Sequence, residues 1–264
     1  MLHLYTEHAM RKFLLKVRRA EAPFYARLKG LILAFFYVRL PVPRFALPLF
    51  RFLYEFHLAA RALLRRAYSF FYAEPLFRGR CEQMGKRVEV VCLPIVEGHT
   101  RIYIGNDVKI WGKIGITSGR ILDNPTLRLG NRVTLGHQVQ FTVNREIVLE
   151  DAVHVASHVT FADTDGHPRD PWLREAGFAA PAEDIRPIHV GRNAWIGHDS
   201  TIQKGVTIGE SAIVGANSTV MTDIPAFAVA MGSPARVVIK DVRQRYQQPE
   251  AEGVTEGSQG VTKS

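Results

Sequence analysis

In the stretch Thr164–Pro168, TDGHP, a single imidazole stands between two regimes of sequence: a regular apolar repeat before it and a long irregular segment after it. An imidazole can take up a proton near neutral pH without much help from its surroundings, so His167 is a candidate general base. A loop histidine can equally be a solvated turn residue. Asp163 and Asp165 flank it. Either could orient the ring or hold a substrate hydroxyl, and turn formation accounts for both equally well. Residues 165–187 carry four prolines and two glycines and no repeat. A long loop inside an otherwise regular domain is usually functional.

The elements that must position this loop are read from spacing. Val190, Ile196, Ile202, Ile208, Val214 and Val220 are six residues apart, and glycine follows four of them, at Gly191, Gly197, Gly209 and Gly215. A helix repeats its apolar face every 3.6 residues and a strand every 2, so a period of six belongs to neither. It marks a parallel β-helix, in which three hexads make one triangular coil. Hexads begin at Arg101, run to Thr164 with a slip near residue 145, and resume from Ile188 to about Pro225. Trp111 and Phe141 fall where smaller residues would sit more easily. Glu74–Val96 reads as a connector.

The run from FADTDGHP through PIHVGRNAWIGHDSTIQKGVTIGESAIVGANSTVMTDIPAFAVAMGSPARVV resembles the hexapeptide-repeat O-acetyltransferases, among them the maltose, galactoside and nodulation-factor acetyltransferases. The resemblance covers roughly residues 100–240. It rests on the GHP loop, the following NAWIG, the VGANS coil and the closing GSPAR. It implies an all-β fold, a left-handed parallel β-helix, to which this chain adds an N-terminal α-helical region. It also implies a homotrimer, and acyl transfer from acetyl-CoA to a hydroxyl with no metal. His167 matches the family's catalytic base, with Asp163 and Asp165 as candidate substrate contacts. Trp195, Gly197, Gly215 and Ala216 match positions lining the pantetheine arm, in a groove between adjacent subunits. Arg236 matches the basic residue near the nucleotide phosphates, and Lys240 could assist it. His198 departs from the small residue common there, which puts a polar contact to CoA at that position in doubt. The acceptor is expected to be a small molecule or a glycan, in polysaccharide or lipid-linked glycan synthesis.

Charge is unevenly spread. Residues 1–80 hold fifteen Lys/Arg and four Asp/Glu, a net +11, and the remainder carries −2. Residues 24–40 are apolar, but the uninterrupted run is only Leu31–Val38, far short of the ~20 residues a bilayer requires. Residues 48–72 read as an amphipathic helix. Leu49, Phe52, Leu53, Phe56, Ala60, Leu63, Ala67 and Phe70 share one face, with Arg51, Glu55, Arg61, Arg65 and Arg66 opposite. Such a helix suits an anionic membrane surface, so residues 24–72 are candidates for peripheral membrane contact. Packing on the β-helix is the alternative. Nucleic acid is disfavoured, because the aromatics lie away from the arginines. Cys81 and Cys92 read as free thiols, and no cleavable secretory signal is evident, so the expected location is the cytoplasm, including the inner face of the membrane. The expected domains are a basic helical region 1–80, a β-helix 81–240 with the loop 165–187, and a disordered tail 241–264.

Two rival readings share the scaffold. His137, His154 and His158 fall in successive coils, and 17 residues separate the first two, close to one coil; a zinc carbonic anhydrase of this repeat type would use three such histidines. A membrane-associated scaffold would need neither His167 nor the loop.

Overall fold

The computed structural model describes residues 2–39 and 42–244. The chain divides into two compact units, residues 1–60 and residues 61 onward. Within the first, α1 (Leu2–Arg19) and α2 (Pro23–Tyr37) form a helical hairpin in which the rings of Phe13 and Tyr25 meet edge to face at 6.0 Å. Pro23 starts α2, where its missing N–H costs no hydrogen bond. A longer helix, α3 (Leu47–Tyr68), follows. It passes through one π-turn, Ser69–Ala73, into α4 (Glu74–Arg80). Among the described residues no helix is long and apolar enough to cross a membrane.

The second unit is a left-handed parallel β-helix of six coils. Each coil contributes one short strand to each of three sheets, here called the first, second and third faces. The period of six follows from this geometry: a strand of two to four residues points one or two apolar side chains inward, and a short turn carries the chain to the next face. Stacking places like on like. On the first face Ile104, Leu129, Leu149, Val190 and Ile208 follow one another in register, all buried. On the third face Phe141 lies parallel to Phe161, the rings 5.1 Å apart and 7° from coplanar. Phe141 therefore fits because the next coil offers a second ring. Trp111 avoids the core altogether and is exposed.

The solenoid starts one coil earlier than its repeat suggests. Gln83–Met84, Glu89–Val90 and Ile95–Glu97 pair in register with the strands of the next coil, so most of the expected connector is coil. Its hexads are obscured because this coil is covered from below by helix. Ala73 and Phe77 are buried in the same core, against which Cys81, Met84, Leu93 and Val96 also pack. Burial in that end pushes the Cys81 thiol up to about 12, against the charges of Arg80 and Arg78. Both cysteines are free. At the other end, Val229–Gly232 extends the second face in parallel, and Ala235–Ile239 turns back antiparallel to it. Val242–Gln244, inside the expected disordered tail 241–264, forms a 3-10 turn, and the rest of that tail lies outside the described residues.

Candidate active site

Every coil passes from the third face back to the first through a return corner. Of the five return corners between the six coils, three are three residues long, 98–100, 143–145 and 204–206, and two carry an insertion, residues 118–125 and residues 163–187. The same edge of the prism therefore bears both irregular segments. The second contains His167.

The roots of this loop are bonded to each other and to the coils. Arg186 N–H donates to the Asp163 carbonyl at 3.0 Å, and Gly205 N–H, one coil on, donates to the Arg186 carbonyl at 3.2 Å. Asp163 is fully buried. Its carboxylate accepts from the backbone N–H of Asn144 at 2.8 and 2.9 Å and of Arg145 at 2.6 Å. Burial pushes its carboxyl up, and those N–H groups pull the other way. That geometry favours turn formation over a substrate contact, since both carboxylate oxygens face the backbone of the preceding coil.

Asp165 lies at the surface. Partial burial works to raise its carboxyl, but the hydrogen bond and charge of Lys204, with those of Arg169, outweigh it and hold it below the usual carboxylate range. Lys204 Nζ reaches Asp165 Oδ2 at 2.6 Å, and Arg169 Nε reaches it at 3.2 Å. His167 follows, with its side chain exposed, and Pro168 is buried. A one-and-a-half-turn helix, α5 (Pro171–Glu175), comes next, capped by the Asp170 carboxylate, which accepts from the N–H of Trp172 and Leu173. Arg174 of that helix donates back to the carbonyls of Pro168 at 3.0 Å and Arg169 at 3.2 Å. The loop thus presents an exposed imidazole from a backbone tied down on both sides.

The other expected residues gather on the second face. Trp195, 53% exposed, borders an open groove of about 560 Å³ with His154, Asn193, Ser211, Ile213 and Val242. Gly197, Gly215, Met231 and Arg236 fall in one row across neighbouring strands, since Ile196 pairs with Val214, Val214 with Ala230, and Met231 with Arg236. The row spans about 14 Å at the usual strand spacing. Gly197 is obligatory there: a Cβ would stand 2.5 Å from the Ala216 amide nitrogen and 2.8 Å from the Val214 carbonyl oxygen. Ala216, Arg236 and Lys240 are exposed. A row of backbone ending at a guanidinium fits a linear chain that terminates in phosphates.

Within one chain this row and His167 do not meet. The row lies where strands leave the second face, and His167 lies where they leave the third. The third face separates them, roughly 15–20 Å for residues 198–203 in extended form.

The remaining histidines occupy other places. His154 lies in a strand between Thr134 and Trp195. His137 and His158 stack at the corner after the second face, where His158 N–H donates to the His137 carbonyl at 2.7 Å. His158 Nδ1 and His198 Nδ1 both approach Asp199, at 3.2 and 2.8 Å. The hydrogen bond of His198, helped by the charges of both imidazoles and the weaker bond of His158, holds that carboxyl below its ordinary value. Among the described residues no three His, Cys, Asp or Glu side chains are grouped to hold a metal ion. Lys204 escaped the reading of the sequence. Its only signal is a lysine at a hexad turn, TIQKGV, where the chain has no surface to spare.

A family model described as bacterial transferase hexapeptide (six repeats) matches residues 187–221. The chain is 37% identical over 122 residues to the galactoside O-acetyltransferase of Escherichia coli, covering 44% of this chain and 57% of that protein. It is 33% identical over 113 residues to the galactoside O-acetyltransferase of Lactococcus lactis, covering 41% and 53%. The matches span little more than half of those relatives' lengths. Among solved structures, a mutant of AntD, an N-acyltransferase from Bacillus cereus in complex with dTDP and coenzyme A, superposes with a TM-score of 0.53 at 19% identity. It covers 67% of this chain and 92% of its own, a likeness of fold.

Proposed function

We propose that this hexapeptide-repeat chain is a CoA-dependent O-acetyltransferase that moves an acetyl group from acetyl-CoA to a sugar hydroxyl. The observation that carries the reading is the exposed His167 on a loop anchored at both ends. A neutral imidazole there would take the proton of the acceptor hydroxyl as its oxygen forms the new ester bond, and would return that proton to the departing sulfur. The thioester supplies the activated acyl group. Trp195, Gly197, Gly215 and Ala216 would line its arm, and Arg236 with Lys240 would meet its phosphates. The names of the curated relatives support acetyl transfer to a sugar.

Three finer readings attach to this one. The separation of His167 from the glycine row favours a site completed by a neighbouring copy, hence a homotrimer with each base facing the next subunit's row. The two insertions on one edge, residues 118–125 and 163–187, are the natural acceptor wall, because they alone depart from the repeat. A basic N-terminal region with an exposed aromatic face supports work at an anionic membrane surface, on a lipid-linked or polymeric glycan.

The test is release of free CoA thiol from acetyl-CoA with a panel of sugar acceptors. His167→Ala should lower kcat by at least about 100-fold, the usual worth of a general base, with an unchanged melting temperature. Full activity in that variant would end the proposed mechanism.

A further inference from the structure

Lysine is among the residues least often buried, and then almost always paired. The Lys204 side chain is 5% exposed. It stands at the return corner one coil after the loop leaves, because Ala162 pairs with Gln203 and Lys204 follows Gln203 beside Asp163. From there its ammonium reaches out to Asp165 at 2.6 Å, across 39 residues of sequence. Asp165 also meets Arg169, but that guanidinium is largely in water and an exposed pair of this kind holds little. The two cations are therefore unequal. Arg169 can exchange the carboxylate for solvent, whereas Lys204 has almost none to exchange it for. Moving Asp165 away would leave a buried charge without a partner, which is costly.

One residue separates Asp165 from His167. That residue is Gly166, whose φ of +79° is in the left-handed region, and its N–H is held by the buried Thr164 hydroxyl at 3.1 Å. On the far side of His167 the buried Pro168 and the Arg174 bond to its carbonyl fix the chain. The upstream half of this grip depends on the ion pair.

We infer that Lys204 is a positioning residue: by clamping Asp165 from inside the solenoid it sets where the His167 imidazole stands. This rests on the acyl-transfer reading, in which an ångström of displacement at a catalytic group costs as much as about 100-fold in rate. It also gives Asp165 an anchoring role in place of a substrate contact. Because the glycine row lies at another corner, the clamp should act on turnover and leave acetyl-CoA binding alone.

The experiment uses the full chain and two readouts. The first is the ring signal of His167 in a ¹H–¹³C spectrum, assigned by its loss in His167→Gln. The second is thiol release from acetyl-CoA with whichever sugar acceptor the panel yields. Lys204→Met should shift or broaden the ring signal and lower kcat 10- to 100-fold, with KM for acetyl-CoA within twofold of wild type. Lys204→Arg, which keeps a cation, should recover most of the rate. Asp165→Asn should match the loss seen in Lys204→Met, and the double variant should lose no more than either alone. Thermal melting screens each variant for folding, and Asp165→Asn, altered at the surface, carries the test if Lys204→Met does not fold. A ring signal and kcat unchanged in Lys204→Met and Asp165→Asn overturn the clamp, as do losses that multiply in the double variant. A ring signal that moves as expected in a protein whose wild type transfers no acetyl group supports the clamp and overturns the acyl-transfer reading instead.

Discussion

Asp163 and Asp165 are two residues apart, and they do opposite things. Asp163 turns inward and closes the backbone of the coil before it; Asp165 turns outward and is gripped from the coil after it. Nothing in a string reading ADTDGHP separates the two, because which carboxylate faces in depends on the corner geometry of neighbouring coils. The histidine was legible from its motif; the lysine that grips its neighbour was not, because the two are 39 residues apart. Their titration follows the same division. Asp165, with its carboxyl held below the ordinary value, contributes stability above the unfolded-state value near 3.8 and loses it only as pH falls through the lower folded-state value. The clamp should therefore be indifferent to pH between 5 and 8. Limited proteolysis of the 163–187 loop should proceed equally across that range and accelerate only in stronger acid, before the coils themselves melt.

Among the elements, the strands were the easiest to find, since a hexad writes its period into the sequence wherever the coil is covered by other coils. The first coil is not legible in the repeat, because helix and not strand covers it and its inward side chains share the core with Ala73 and Phe77. The amphipathic character of α3 was legible, but not what it faces. Ser69, Ala73 and Phe77 are buried beyond its end, while Phe52, Phe56 and Leu63 are 64, 61 and 71% exposed. A helix this apolar on one face and this rich in arginine on the other is suited to lie in a lipid headgroup layer. In flotation, the protein should rise with vesicles containing phosphatidylglycerol and remain below with neutral phosphatidylcholine vesicles. Replacing Phe52, Phe56 and Leu63 with glutamate should abolish flotation and leave the melting of the β-helix unchanged. Equal flotation of the triple variant would remove α3 from the membrane reading.

For the whole molecule, the proposed division of the site between two corners makes a prediction about mixtures. On the proposed mechanism His167→Ala would lack the base, and Arg236→Glu should fail to hold the phosphates of acetyl-CoA. If each site takes one residue from each of two copies, unfolding and refolding the two inactive variants together should restore part of the activity, in sites that combine an intact His167 with an intact Arg236. If each chain works alone, the mixture should stay inactive. The mixing result speaks to assembly in a way no single chain can. The ends of the solenoid carry a different consequence. A stack of parallel coils has no intrinsic length: each terminal coil offers the next one its unpaired N–H and C=O groups, and a further molecule could continue the stack. Here α4 and the residues before it plug one end with Phe77, and the strand Ala235–Ile239 turns antiparallel across the other end of the second face. These two caps make the β-helix finite. Stripped of them, the same ladder would be a template for filament growth.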